Sequence, residues 1–358
     1  MAARSLGFLL GCTLIPGAIP GALWAAQKPR VHYLPASPTT VAWGYYWAEA
    51  KPVLRIHSGD VVVADTLLTN SPRGLERAGL PADRVEPALK AVYAQVKDRG
   101  PGGHILTGPI YVDGAEPGDT LAVHILKIAP RIDYAYNAFG PHSGFLPQDF
   151  PYRRMRIIPL DWRHGVARFA PGITLPLHPF FGSMGVAPPP SMGRYSSVPP
   201  NLMGGNMDDK DLVAGSTIYL PVFAPGALFE IGDGHAGQGD GEVDITALET
   251  SLRGTLRLSV IKHTGQQWPR AETPTEYISL GFDRDLTRAT TQATEQMIAF
   301  LAARRHLSRD DAYMLCSVAG NLHITELVDQ NVGVEMLLPK AIFQTAAAAA
   351  SPGRRASR

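Results

Sequence analysis

The chain has 358 residues, 45% of them hydrophobic and 18% charged, a globular composition long enough for one large core or two smaller ones. Its 33 basic and 32 acidic residues leave a formal charge of +1, and no basic block is present to displace counterions, so nucleic acid is excluded as a partner. With 36 glycines and 31 prolines, turns must be frequent, which points to a β-rich chain.

The first segment reads as an export signal. "MAARS" supplies one charge, Arg4, and "LGFLLGCTLIPGAIPGALWA" follows as an apolar run interrupted by Pro16 and Pro20. Small residues near Ala25 and Ala26 suit cleavage, so 1–26 is expected to be a signal peptide and the mature protein to be periplasmic or secreted. An uncleaved anchor is the alternative; after cleavage no stable membrane insertion is expected. Cleavage would also remove Cys12 and leave Cys316 alone, so no intramolecular disulfide is expected.

From residue 31 to about 280 the pattern is that of strands. "IHSGDVVVADTLL" (56–68), "AEPGDTLAVHILKI" (115–128) and "LVAGSTIYLPVFA" (212–224) each place a Gly-polar turn before alternating apolar residues. "GTLRLSVIKH" (254–263) repeats the alternation. Helical spacing appears later, in "DLTRATTQATEQMIAFLAARRH" (285–306) with Met297, Ile298 and Leu301 on one face. "SRDDAYMLCSVAG" (308–320) follows, with Ser308 as its cap and Asp311 three residues on. Then "NLHITELVD" reads as a strand. The fold class expected is α+β, β-dominated: a sandwich- or barrel-like β body with a C-terminal helical layer. One catalytic domain is assigned to 27–345, and 346–358 to a disordered tail.

One region breaks this rhythm. Residues 182–211 show almost no periodicity, and a long irregular stretch within a domain is commonly a functional loop, here read as a wall of an active site. Chemistry-bearing residues concentrate in "GDGHAGQGDGE" (232–242). In extended backbone, Asp233 and His235 share a face, as do Asp240 and Glu242, and the glycines between them can fold the pairs together. Converging carboxylates and an imidazole suit a metal with one position open, and a nearby carboxylate could act as general base. A solvated Asp/Gly turn is the competing reading; a calcium loop is another, although the spacing is not that of an EF-hand. Asn206 and Asp208 in "GGNMDD" stand two apart among glycines, His104 follows a Gly pair, and His178 opens "HPFFG". Cys316 lies on an apolar helical face and reads as an inert thiol.

These motifs together resemble the acetamidase/formamidase family. "GDGHAGQGDGE" carries most of the resemblance, with "GGNMD", "HILTGPIYV", "HPFFGSMGVAP" and the late "LPKAIF" in support, from about residue 31 to 345. The resemblance implies a β-rich hydrolase that cleaves the C–N bond of short amides to ammonia and a carboxylate, with a bound divalent metal, zinc before calcium. Carried over by motif position, Asp233 and His235 are expected as metal ligands with Asp208 and Asp240 as further ligands, Glu242 as general base, and Asn206 as a donor to the amide or oxyanion. His104 and His178 are expected near the substrate. The resemblance also implies a homo-oligomer. The alternative is a non-catalytic exported module of the same fold that binds metal or a polar ligand.

Overall fold

A computed structural model describes residues 29–343. The expected signal peptide and the tail beyond 346 lie outside the described residues. Two large sheets dominate. The first has nine strands in the order Val31–Leu34, Val61–Asp65, Leu252–Ile261, Thr120–Pro130, Thr217–Pro221, Arg270–Glu272, Glu276–Asp283, Val332–Pro339 and Asn321–Glu326. Its neighbours pair antiparallel except the first two strands, which are parallel. The second sheet is built around Phe229–His235, which pairs with Phe180–Gly185, Glu249–Thr250 and Ile105–Asp113.

The alternation read from sequence is what joins the sheets. Leu121, Val123 and Ile125 from one strand and Leu252, Leu256 and Leu258 from its neighbour face inward. They meet Leu106, Ile110, Phe181, Phe229 and Ile231 from the second sheet in one continuous core. Each such side chain contributes about 1.5–3 kcal/mol by leaving water. The β-dominated class with inward-facing alternation is therefore observed.

The C-terminal helical layer is also observed. Helix Leu286–Arg305 is capped by Asp285, whose side chain accepts from the Arg288 amide. Helix Arg309–Ala319 is capped by Ser308 accepting from Asp311. Ala289, Ala293, Met297 and Leu301 pack with Val334, Met336 and Leu338 of the sheet, and Cys316 is buried in the same cluster. The close approach depends on Gly281, where a Cβ would collide with the Ala289 carbonyl. Two helices interrupt the stretch expected to hold only strands: Pro72–Arg77 and Pro87–Gln95, each beginning on proline. Proline at the first helical position is pre-set for that geometry and was the available signal. Among the described residues, no helix is long and apolar enough to cross a membrane.

Candidate metal centre

Strand Phe229–His235 brings Asp233 and His235 to one place, as their spacing requires. The register adds Glu249, the direct cross-strand partner of His235. Three other segments converge there. Asn206 ends strand Gly204–Asn206, and Asp208 follows it. Glu242 comes from the loop after the strand, and Asp329 from the turn between Asn321–Glu326 and Val332–Pro339. His235 Nε2 lies 3.3 Å from Asp233 Oδ2, 3.3 Å from Glu249 Oε1, and 3.9 Å from both Asp208 Oδ1 and Glu242 Oε1. All of these residues are buried.

The tautomer of His235 is fixed by its other nitrogen. Gln238 Nε2 donates to the backbone carbonyls of Asp208 and Thr325, at 2.8 and 3.0 Å. That leaves Gln238 Oε1 as the acceptor facing His235 Nδ1 at 2.9 Å, so Nδ1 carries the proton. Nε2 therefore turns a lone pair toward carboxylates, and among the described residues it has no hydrogen-bond partner; nor has Asp208 Oδ1. His104 repeats the arrangement. Its Nδ1 donates to the Ser197 carbonyl at 3.0 Å, and its Nε2 faces Asp233 Oδ2 at 4.0 Å.

Such crowding moves the acids in opposite directions. Burial first, then the charges of Glu242 and Asp233, push the Asp208 carboxyl well above the usual carboxylate range. Burial also raises Glu242; His235 opposes this, while Asp329 and Glu249 add to it. Asp233 goes the other way: burial resists ionisation, but His235 and His104 hold it below its usual value. Burial raises Asp329 to about 6, with His104 opposing. For His235, burial disfavours the charged ring, yet Glu249 and Asp233 outweigh it and raise the imidazole well above normal. Nε2 can thus be satisfied by a second proton or by a cation.

The backbone is held in unusual shapes to make this cluster. Asp208, Asp233 and Glu242 all adopt positive φ, at 45°, 55° and 43°. Non-glycine residues reach that region only at a cost of about 1–3 kcal/mol each, and such strain concentrates at functional sites. Gly182 supplies the space. A Cβ there would overlap Asp208 Oδ1 and Asp233 Oδ2 and press on the His235 ring. The residues present therefore fit a divalent cation: orphaned buried donor atoms, imidazole plus carboxylate chemistry, and a cradle that a methyl group would fill. Two overlapping sets meet ligand spacing, Asp233–His235–Glu249 and Asp208–His235–Glu242.

Some expected site residues stand elsewhere. Asp240 is half exposed and pairs with Lys210 Nζ at 2.6 Å, so it does not join the cluster. The strand ends at His235, and the intervening glycine turn removes the two-residue periodicity on which that ligand assignment relied. His178 is exposed; the backbone of "HPFFG" matters here for Gly182, not for its histidine. Asn206 is central, but its amide protons are already used: Nδ2 donates to Asp208 Oδ2 at 2.7 Å and Asp329 Oδ2 at 2.5 Å, while Oδ1 accepts from Ser183 at 2.6 Å. It positions two carboxylates and has no proton left for an oxyanion. Glu249, Asp329 and Gln238 were not anticipated. Of these, only Gln238 lay inside the motif singled out in the sequence.

A cavity of about 280 Å³ opens onto the cluster, lined by His104, Tyr136, Asn206, Asp233, Glu242 and Asp329 among others. The wall from 182–211 is real, since Val198 and Asn206 belong to it. A larger hollow of about 510 Å³ lies beside it, lined by Phe169, Leu175 and Leu248, and shares Glu242. Its lining includes none of His104, Asp233 and Glu249, all of which line the smaller cavity.

The sequence profile of the Acetamidase/Formamidase family matches residues 101–195 and 193–345. The chain is 26% identical to a formamidase of Methylophilus methylotrophus over 316 residues, covering 67% of this chain and 77% of that one. It is 30% identical to an acetamidase of Mycolicibacterium smegmatis over 201 residues, 39% of this chain and 49% of the relative, so that match spans about half the relative's length. A match to a Schizosaccharomyces pombe protein likewise covers 52% of it. The crystal structure of an acetamidase from Yersinia enterocolitica superposes with a TM-score of 0.76 at 31% identity, covering 90% of this chain and 96% of that one. These relatives carry the names of amide hydrolases. On the profile match and the shared architecture, the chain belongs to the acetamidase/formamidase family.

Proposed function

We propose that the protein is an exported, divalent-metal-dependent amidase that hydrolyses small amides to ammonia and a carboxylate. The observation that carries the metal reading is the fixed tautomer of two histidines, each with Nδ1–H committed and Nε2 turned toward buried carboxylates. The names of the relatives supply the amide. A cavity of about 280 Å³ lies near the lower end of the ~300–1,000 Å³ range of ligand pockets and favours short amides.

Asp233, His235 and Glu249 would hold the cation, with Asp208 as a further ligand and His104 at its edge. This mixed nitrogen and carboxylate set suits zinc before calcium. When bound, the cation supplies Lewis-acid polarisation of the carbonyl and eases ionisation of water. Glu242 lines the cavity, with its carboxyl 3.9 Å from His235 Nε2, where it can exchange protons with a bound substrate. It takes a proton from the water that attacks the amide carbon and returns it to nitrogen as the C–N bond breaks. Asn206 holds Asp208 and Asp329 in place during this exchange.

The test is Glu242→Gln. It should keep full metal content and lose about 10²–10⁴-fold in kcat, the range for a general acid–base group. Activity near that of wild type would remove Glu242 from this role. Export rests on the leader at 1–26, and recovery of the protein only from the cytoplasm would reject it.

A further inference from the structure

Asp208 belongs to the His235 cluster, but its neighbour Asp209 joins a different one. His323 and Glu335 are direct cross-strand partners on Asn321–Glu326 and Val332–Pro339, and their side chains share a face, with Nδ1 3.7 Å from Oε1. Asp211 completes a set in which one atom from each side chain lies within 4.8 Å of the others. Asp209 Oδ1 accepts from the Asp211 amide at 2.9 Å, and burial together with the charge of Glu335 pushes its carboxyl up.

These acids lack enough protein cations. Asp209 is 0% and Glu335 1% exposed. Asp209 Oδ2, Glu335 Oε2 and His323 Nδ1 are buried atoms without a hydrogen-bond partner among the described residues. Lys210, the nearby cation, is engaged with Asp240. Lys340 is engaged with Glu272 at 2.7 Å. Buried carboxylate oxygens left without donors are costly unless something positive lies beside them. Asp211 and His323 are only half-buried, which leaves a route from solvent.

We propose that Asp209, Asp211, Glu335 and His323 form a second divalent-cation site with a structural role. It shares no ligand with the His235 cluster and does not depend on the amidase reading. The carboxylate-rich set suits a hard cation, with the imidazole at its solvent side. Its position gives it a task. The segment carrying Asp209 and Asp211 also carries Asn206 and Asp208, and the hairpin carrying His323 and Glu335 also carries Asp329. A cation here clamps the segment to the hairpin, and so fixes the spacing between Asn206 and Asp329.

The test uses the full purified chain, stripped with chelator and titrated separately with Mn²⁺, Ca²⁺ and Zn²⁺, with bound metal and melting temperature as readouts. Asp211→Asn should bind one equivalent fewer than wild type and lose part of the metal-induced rise in melting temperature. Zinc should still bind the His235 cluster in that variant. His323→Gln, a milder change at the rim, should weaken the second equivalent by roughly tenfold or more, at least the effect of losing an outer partner of a ligand. His235→Gln should remove the other equivalent and spare this one. Equal stoichiometry and equal melting shifts in wild type, Asp211→Asn and His323→Gln would overturn the proposal and leave protons as what holds these acids together.

Discussion

Gln238 decides which nitrogen of His235 faces the carboxylates. Its Oε1 accepts from His235 Nδ1 at 2.9 Å, while its amide protons go to the Asp208 and Thr325 carbonyls and prevent it from flipping. Residues three apart in a glycine-rich loop thus convert an ambiguous imidazole into a donor with one defined lone pair.

That relationship predicts the effect of Gln238→Leu. With no acceptor for Nδ1–H, the ring loses its orientation, and metal affinity should fall about 10–100-fold. Competition titration against a chromogenic chelator measures it. Unchanged affinity would show that the tautomer is set by some other contact.

Gly182→Ala should be more severe. The added methyl group overlaps Asp208 Oδ1 and Asp233 Oδ2, so either the carboxylates move or the strand does. Metal content should fall below stoichiometric and amidase activity should go with it. Gly239→Ala serves as control, because a Cβ there meets open space. Equal metal content in the two variants would contradict the cradle.

Asp240 and His178 yield the opposite expectation. Asp240→Asn and His178→Ala change exposed side chains outside the cluster, so stability should shift by no more than about 0.5 kcal/mol. kcat should stay within about twofold, equivalent to less than ~0.5 kcal/mol of transition-state energy. A large loss of kcat in Asp240→Asn would restore it as a ligand.

The reasons for these differences are local. Asp233 and His235 were legible because strand periodicity places alternate residues on one face. Glu249 was not, because its place depends on which strand pairs with Phe229–His235, and nothing in "TALETS" states its partner. Asp329 was hidden for the same reason, at a hairpin turn far along the chain. Asp240 was misplaced because the period of two holds only while the strand lasts. For the fold, "TLAVHIL" and "GTLRLSV" declared their buried faces, Ser308 declared its helix, and the Met297, Ile298 and Leu301 spacing declared the other. The helices at Pro72 and Pro87 are short and sit between strands, where propensity is weak and packing decides.

A pH prediction arises away from the site. Asp119 accepts from Lys262 Nζ at 2.5 Å and from the amides of His263 and Glu116, both at 2.9 Å. Burial opposes ionisation of Asp119, but Lys262 and those amides hold its carboxyl below the usual value. A depressed folded-state pKa stabilises the protein above the unfolded value of about 3.9 and is lost as pH falls through the folded value. Asp119→Asn should lower stability at neutral pH by about 1–3 kcal/mol, the range for disturbing a buried hydrogen-bonded group. Below about pH 4 the gap between variant and wild type should narrow. Urea midpoints across that range test this, and a gap independent of pH would contradict it.

The central claim is that the His235 cluster holds a metal required for amide hydrolysis. The most direct measurement is elemental analysis of the purified protein alongside ammonia release from formamide and acetamide, before and after chelation. The account predicts bound zinc at the His235 cluster, activity abolished by chelator, and activity restored by zinc in wild type but not in His235→Gln. Full ammonia release from metal-free protein would contradict it.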